Sequence, residues 1–129
     1  MSRKTKIVID LDNTVTHSDT EKSYDAVLPR RDVIEQLRAY KERGFEIVIH
    51  TSRNMRTYDG NVGKINVNTL PTILAWLEKH DVPHDEVIVG KPWCGHGGFY
   101  VDDKTIRPDE FVNKTYEEIC ELVGEKSWQ

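Results

Sequence analysis

Apolar residues along the chain fall into short runs whose spacing alternates between that of strands and that of helices. Residues 6–10, 45–50 and 86–89 are rich in β-branched side chains, as expected of strands buried within a parallel sheet. Between the first two runs, residues 32–41 carry apolar side chains at helical spacing, and Gly44 follows where a glycine commonly ends a helix. The order strand, helix, strand predicts a parallel pair joined by a right-handed crossover.

The second half of the chain continues this alternation. We predict helices at about 70–79 and 115–123 and a fourth strand at 98–101. The polar stretches 13–29 and 52–68 are predicted to be loops, the first of them a loop or a small hairpin. These elements predict an α/β fold, a three-layer α/β/α sandwich around a central parallel Rossmann-like sheet, built as a single domain over all 129 residues.

Composition and charge narrow the class of protein. The chain is 37% hydrophobic and 31% charged, a balance typical of a soluble globular protein rather than a disordered one. Its net charge of −4 disfavours nucleic acid as a partner, because proteins that bind the phosphate backbone usually carry a basic surface. No apolar run approaches the roughly 20 residues that span a bilayer, so no membrane partner is expected. The two cysteines, Cys94 and Cys120, give no disulfide framework, and these features together predict a cytoplasmic protein.

Polar side chains follow three of the predicted strands at the point where each strand ends. Asp10 and Asp12 close the first strand, Thr51 the second, and Asp102 with Asp103 the fourth. Parallel sheets bind ligands at the carboxyl ends of their strands. If the extended backbone persists, the side chains of Asp10 and Asp12 point to the same side. Several carboxylates near one point predict a hard cation, and oxygen ligands with room for water favour Mg²⁺.

The same residues resemble the motifs of a known family. The segment 10–14, Asp-Leu-Asp-Asn-Thr, matches the DxDxT motif of the haloacid dehalogenase (HAD) superfamily and follows an apolar strand as it does in that family. Thr51 resembles the second motif, Lys91 the third, and the pair Asp102-Asp103 the acidic fourth. The resemblance covers nearly the whole chain in the order of the family. It implies a HAD-like form of the predicted sandwich.

The resemblance implies catalytic roles for four residues. Asp10 would be the nucleophile that attacks phosphorus and forms an aspartyl-phosphate. Asp12 would act as a general acid and then as a base, first protonating the leaving oxygen and later activating water. Thr51 and Lys91 would hold the oxygens of the transferring phosphoryl group, helped by the backbone N–H groups that follow Asp10.

The resemblance also implies ligands for the metal and for the substrate. Mg²⁺ would be held by Asp10, the backbone carbonyl of Asp12, and Asp102, which is favoured over Asp103 as the direct ligand. Asp103 would then act through water. The small phosphorylated substrate would be contacted by residues that follow the first and second strands: Asn13, Thr14, Ser52 and Arg53.

Members of the superfamily commonly carry a cap domain inserted after the first motif or after the third strand. Both places hold segments too short to fold as a domain here, so the resemblance is to a capless member whose open site leaves room for a homodimer. The surroundings Leu28-Pro-Arg-Arg and Thr51-Ser-Arg-Asn are similar to those of the capsule biosynthesis phosphatases. The implied function is a Mg²⁺-dependent phosphomonoesterase acting on a small phosphorylated metabolite, such as a sugar phosphate of polysaccharide or capsule biosynthesis.

Two alternatives use the same chemistry without hydrolysis. A receiver-like signalling module also combines a parallel sheet, an acceptor Asp, Mg²⁺, Thr and Lys, but its acidic pair follows the first strand and its acceptor stands alone near mid-chain. Here the DxD segment comes first and the Asp102-Asp103 pair comes last. A receiver also lacks a second carboxylate that activates water, so Asp12 favours turnover. A phosphotransferase that passes the phosphoryl group to another acceptor stays open as an alternative.

Overall fold

The chain divides into two units, residues 1–93 and 94–129, in a computed structural model that describes residues 5–18, 23 and 26–126. The first unit contains strands β1 (Lys6–Ile9), β2 (Glu46–Thr51) and β3 (Glu86–Val89) and helices α1 (Arg31–Glu42), α2 (Val62–Asn68) and α3 (Leu70–Lys79). The strands form a parallel sheet in the order β1-β2-β3, and the helices flank it. The predicted α/β class with a parallel sheet is therefore confirmed.

The register of the three strands brings their carboxyl ends to one edge of the sheet. β1 pairs with β2 so that Ile9 lies opposite Ile49, and β2 pairs with β3 so that Thr51 lies opposite Val89. β2 is the central strand, and its residues 47–49 are all buried. This explains why the run is continuously apolar rather than alternating.

Helix α1, which connects β1 to β2, presents one apolar face and ends at a glycine. Four of its residues are buried on that face: Val33, Ile34, Leu37 and Tyr40. Gly44 has a φ of 102° and donates its N–H to the carbonyl of Lys41 at 3.0 Å. A side chain would be strained in this conformation, so the predicted role of Gly44 in ending the helix is confirmed.

Helix α3 buries a tryptophan in the core. Ile73, Trp76 and Leu77 are buried, whereas Leu74 is 41% exposed. The indole N–H of Trp76 donates to the carbonyl of Val27 at 2.9 Å. This hydrogen bond satisfies the one polar atom of the indole and allows the large ring to enter the core.

The polar stretch 52–68 is only partly a loop, because its second half forms α2. The side chain of Asn61 accepts the N–H of Lys64 at 3.1 Å and caps the start of the helix. Ile65 is the one buried residue of α2. A helix with a single buried position shows no apolar periodicity, which is why the sequence predicts a loop here.

The second unit contains α4 (Pro108–Asn113) and α5 (Tyr116–Val123). The prediction of α5 is confirmed, and the hydroxyl of Thr115 caps it by accepting the N–H of Glu118 at 3.2 Å. α4 is not predicted, although Pro108 in its first turn is a usual start signal. The predicted strand at 98–101 is wrong, since among the described residues this segment pairs with no strand and Val101 is 86% exposed.

Two further expectations concern the cysteines and membrane-spanning helices. Cys94 is exposed, Cys120 is buried and both are free thiols, as expected from their number. None of the helices in the described ranges combines the length and the apolar character needed to cross a bilayer.

Candidate functional site

The segment that follows β1 turns tightly around Leu11. The Leu11 side chain is fully buried, and its carbonyl accepts the N–H groups of residues 14–16 at 3.3, 2.9 and 3.1 Å. Asn13 has a φ of 63°, in the left-handed region that asparagine tolerates better than most residues. Leu11 thus anchors a turn that carries Asp10 on one side and Asp12 on the other.

The backbone donors of this turn point into the turn itself. Besides the three N–H groups bonded to Leu11, the N–H of Asn13 donates to Oγ1 of Thr16 at 3.1 Å. The expectation that N–H groups after Asp10 cradle a phosphate therefore fails for residues 13–16, because these donors are already engaged. Sequence alone does not show this, since the turn depends on Thr16 being buried, with 1% exposure.

Asp10 is contacted by two of the predicted site residues. The hydroxyl of Thr14 donates to Oδ2 of Asp10 at 3.0 Å, and Nζ of Lys91 lies 3.5 Å from Oδ1. The Lys91 backbone N–H donates to the Thr51 carbonyl at 3.1 Å, which continues the pairing of β2 and β3 past the end of β3. The register of the sheet thus places Lys91 beside Asp10, although the two residues are 81 positions apart in the sequence.

Asp12 forms a two-point ion pair with Arg53. Nε of Arg53 donates to Oδ2 of Asp12 at 3.1 Å, and Nη2 donates to Oδ1 at 2.7 Å. The Arg53 side chain is only 1% exposed, whereas that of Asp12 is 31% exposed. The planar guanidinium matches both carboxylate oxygens at once, a geometry that a lysine cannot reproduce. Arg53, predicted to contact substrate, therefore contacts the predicted acid and base residue here.

Thr51 and Ser52 shape the turn that follows β2. Thr51 is 1% exposed, and its hydroxyl oxygen accepts the backbone N–H of Arg53 at 3.1 Å. The carbonyl of Ser52 accepts the N–H of Met55 at 3.0 Å. These bonds fix the backbone from which the Arg53 side chain extends. The roles of Thr51 and Ser52 in phosphate binding stay predictions.

His50 is absent from the predicted site, yet it is electrostatically tied to it. Burial, followed by the nearby ammonium of Lys91, lowers the pKa of His50, while the Asp10 carboxylate acts in the opposite direction. Ile9 of β1 lies opposite Ile49 of β2, and Asp10 and His50 directly follow these two residues. The signal in the sequence is a histidine that follows the apolar run of residues 47–49 and precedes Thr51.

Asp102 and Asp103, the predicted metal ligands near the end of the chain, belong to the second unit. Oδ1 of Asp102 accepts the backbone N–H of Lys104 at 3.0 Å. That hydrogen bond, with a smaller effect from the Asp103 side chain, lowers the pKa of Asp102 below its ordinary value. Asp102 is thus held as a carboxylate, the form that binds a cation.

Two basic side chains neutralise the carboxylates of Asp10 and Asp12. Asp12 faces Arg53 and Asp10 faces Lys91, so these two carboxylates do not depend on a metal ion for charge compensation. Across the described ranges, no group of three or more His, Cys, Asp or Glu side chains is placed to hold a metal ion. The expectation of Mg²⁺ at this site stays a prediction.

A solved structure resembles this chain over nearly its whole length. It is the crystal structure of an MCSG target from Vibrio cholerae, and it matches with a TM-score of 0.90 and 61% sequence identity over 93% of this chain and 97% of that chain. The chain belongs to the family of this Vibrio cholerae protein. At such identity the two proteins share their fold. Neither a protein-family model nor a curated protein matches the chain.

Proposed function

We propose that this protein is a Mg²⁺-dependent phosphomonoesterase that works through an aspartyl-phosphate on Asp10. The observation that carries the proposal is the convergence on Asp10, where Thr14 donates to one carboxylate oxygen and Lys91 lies beside the other. The sequence resemblance assigns these same residues to one HAD-type active site. The proposal includes the HAD-like, capless form of the sandwich.

The proposed reaction has two steps. In the first, a carboxylate oxygen of Asp10 bonds to phosphorus while the bond from phosphorus to the leaving oxygen breaks, and Asp12 gives that oxygen a proton. In the second, Asp12 takes a proton from water, whose oxygen bonds to phosphorus and releases Asp10 with inorganic phosphate.

Lys91 stabilises the transferring phosphoryl group. Its ammonium lies 3.5 Å from Asp10, longer than the roughly 2.7–2.9 Å of a well-formed charge-assisted hydrogen bond. The ammonium therefore lies beside the proposed nucleophile, where a transferring phosphoryl group would come within its reach. Lys91 then offsets the repulsion between an anionic nucleophile and an anionic substrate.

The donors of the first unit fit Mg²⁺. Proteins commonly hold this ion through one or two carboxylates together with substrate phosphate oxygens and water, rather than in a closed cage. The Asp10 carboxylate, 34% exposed, and the backbone carbonyl of Asp12 would supply such ligands. When bound, the ion neutralises charge on the phosphoryl oxygens. The assignment of Asp102 and Asp103 as further ligands stays a prediction from sequence.

The proposed substrate is a small phosphorylated metabolite, such as a sugar phosphate of polysaccharide or capsule biosynthesis. The guanidinium of Arg56 lies 5.8 Å from the centre of the Trp93 ring. This contact connects the turn after β2 with the segment that carries Lys91. Trp93 is 42% exposed and offers a flat apolar surface of the kind that packs against a sugar ring.

The test is phosphate release from p-nitrophenyl phosphate and a panel of sugar phosphates, with Mg²⁺ or with EDTA. We compare wild type with Asp10→Asn and use Asp32→Asn, an exposed carboxylate on α1, as the matched control. We expect Mg²⁺-dependent turnover in wild type and in Asp32→Asn, and a loss of about a thousandfold or more in Asp10→Asn because the nucleophile is gone.

Two outcomes would replace the proposal. Undiminished turnover in Asp10→Asn would show that the assigned nucleophile is wrong. If wild type releases no phosphate from any compound but is labelled once per chain by acetyl phosphate, a phospho-accepting module or a phosphotransferase describes the protein better.

A further inference from the structure

Asn54 follows Arg53 and adopts a backbone conformation that few residues share. Its φ is 63°, in the left-handed region that is open to glycine and that asparagine tolerates better than most residues. A glycine would meet the needs of the backbone alone. The carboxamide that asparagine brings instead is hydrogen-bonded at both of its polar atoms.

The carboxamide of Asn54 connects two separate parts of the first unit. Oγ1 of Thr69, a residue that is 4% exposed, donates to Oδ1 of Asn54 at 2.7 Å. The amide nitrogen donates to Oγ1 of Thr57 at 3.1 Å, within the same turn. The first bond joins the turn after β2 to the junction of α2 and α3, although Asn54 and Thr69 are 15 positions apart.

Thr69 stands where its hydroxyl would ordinarily cap a helix. It is the N-cap residue of α3, a position at which a threonine side chain commonly accepts an N–H of the first turn. Here the side chain forms no such bond, and the hydroxyl donates to Asn54 instead. The first turn of α3 also contains Pro71, which has no N–H to offer. The hydroxyl of Thr69 therefore serves the turn after β2 rather than its own helix.

The turn held in this way carries Arg53, whose guanidinium binds the carboxylate of Asp12 at two points. The Arg53 backbone is fixed on one side by Thr51, whose hydroxyl oxygen accepts its N–H, and on the other side by Asn54. Because both N–H groups of the fork must be oriented together, the pairing depends on the backbone from which the side chain extends. Each carboxylate oxygen has a second lone pair, so Asp12 can be held by Arg53 and still exchange a proton.

We propose that Asn54 is a positioning residue, which through its bond to Thr69 fixes the turn after β2 and thereby the orientation of Arg53 against Asp12. The inference rests on the proposed function, because it concerns the residue that acts there as acid and base. It adds to the reaction two residues, Asn54 and Thr69, whose side chains bond to each other rather than to Asp12.

The first test follows solvent exchange of the Arg53 Nε–H by NMR and needs no turnover. Arg53→Lys assigns the signal, because lysine has no such group. Asn54→Gly keeps the backbone conformation but removes the carboxamide, so we expect exchange to become about tenfold faster or more. Thr69→Val should have the same effect, and Thr69→Ser, which keeps the hydroxyl, should behave as wild type. Unchanged exchange in both Asn54→Gly and Thr69→Val would overturn the proposal.

The second test compares kcat/KM for phenyl phosphate and p-nitrophenyl phosphate with Mg²⁺. Phenolate is the poorer leaving group and depends more on the proton from Asp12. We therefore expect Asn54→Gly and Thr69→Val to lower kcat/KM about tenfold or more for phenyl phosphate and less than about threefold for p-nitrophenyl phosphate. Thr69→Ser should match wild type on both esters. Asn61→Ala, which removes the cap of α2, is the control for lost stability nearby and should keep kcat/KM for both.

The two esters separate this proposal from a purely structural role and from the proposed function. Equal losses for both esters would show that Asn54 supports the fold and not the orientation of Asp12, and they would overturn the proposal. If wild type releases no phosphate from either ester, the proposed function fails and the role assigned to Asn54 fails with it. If wild type is active and Asn54→Gly matches it on both esters, only the role of Asn54 is overturned.

Discussion

The hydrogen bond between Trp76 and Val27 links the core to the turn that carries Asp10 and Asp12. The segment 27–30 receives this bond and is also tied to the turn: the carbonyl of Leu28 accepts the N–H of His17, and Arg30 donates its N–H to the carbonyl of Val15, both at 2.8 Å. Trp76→Phe removes the indole N–H while keeping an aromatic ring on α3. We expect this change to destabilise the protein and to loosen the turn.

The size of the effect follows from two contributions. The Trp76 side chain is 2% exposed and Val27 is 6% exposed, so the carbonyl that loses its donor gains little access to water and costs about 1–3 kcal/mol. The smaller ring leaves a partial cavity, which adds about 1 kcal/mol. A total of about 2–4 kcal/mol is a large share of the roughly 5–15 kcal/mol that stabilises a domain.

Urea denaturation followed by tryptophan fluorescence measures this difference. We expect the midpoint for Trp76→Phe to fall by about 1–2 M with an unchanged slope. Trp93→Phe is the matched control, because Trp93 is 42% exposed and its loss should change stability by less than about 0.5 kcal/mol. Amide exchange of His17 and Arg30 should also quicken in Trp76→Phe. Equal midpoints for the two variants would refute the assignment of this bond as an anchor.

Three further changes test other parts of the first unit. Asn13→Ala should cost about 1 kcal/mol because of the φ of 63°, and Asn13→Gly should cost nothing measurable, both by urea midpoint. Asp85→Ala should cost about 1–2 kcal/mol because the Ile47 N–H loses its acceptor at 2.8 Å, and Asp85→Asn, which can still accept, should cost less. Burial, then the nearby Arg31 and Lys79, lower the pKa of His80, so the unfolded chain binds its proton more readily and stability falls as the pH drops below about 6.5. His80→Gln should reduce the loss of stability between pH 7.5 and 5.5; an unchanged loss would exclude this origin.

Elements with a continuous or periodic apolar pattern could be predicted from the sequence, and the others could not. β2 and α1 are of the first kind, since each buries several residues of its own. α2 buries only Ile65, and its start is marked by the Asn61 cap rather than by periodicity. The segment 98–101 has the composition of a strand, but a strand also requires a neighbour, and no local pattern supplies that information.

Of the contacts in the candidate site, the sequence also indicates some and not others. The placement of Lys91 beside Asp10 agrees with the motif order, because parallel strands bring their carboxyl ends to one edge. The pairing of Asp12 with Arg53 joins residues that are 41 positions apart. A buried arginine after a strand indicates a nearby anion, yet the sequence does not say whether that anion is a substrate or a carboxylate of the same chain. Only the three-dimensional distances decide between the two.

The charges of the first unit explain how such a site stays folded between turnovers. Asp10 and Asp12 are balanced by Lys91 and Arg53, so the four side chains sum to zero. In the proposed reaction Mg²⁺ and a phosphomonoester dianion arrive together, and they also sum to zero. Binding of the two together would therefore add no net charge to a partly buried site, where uncompensated charge is costly.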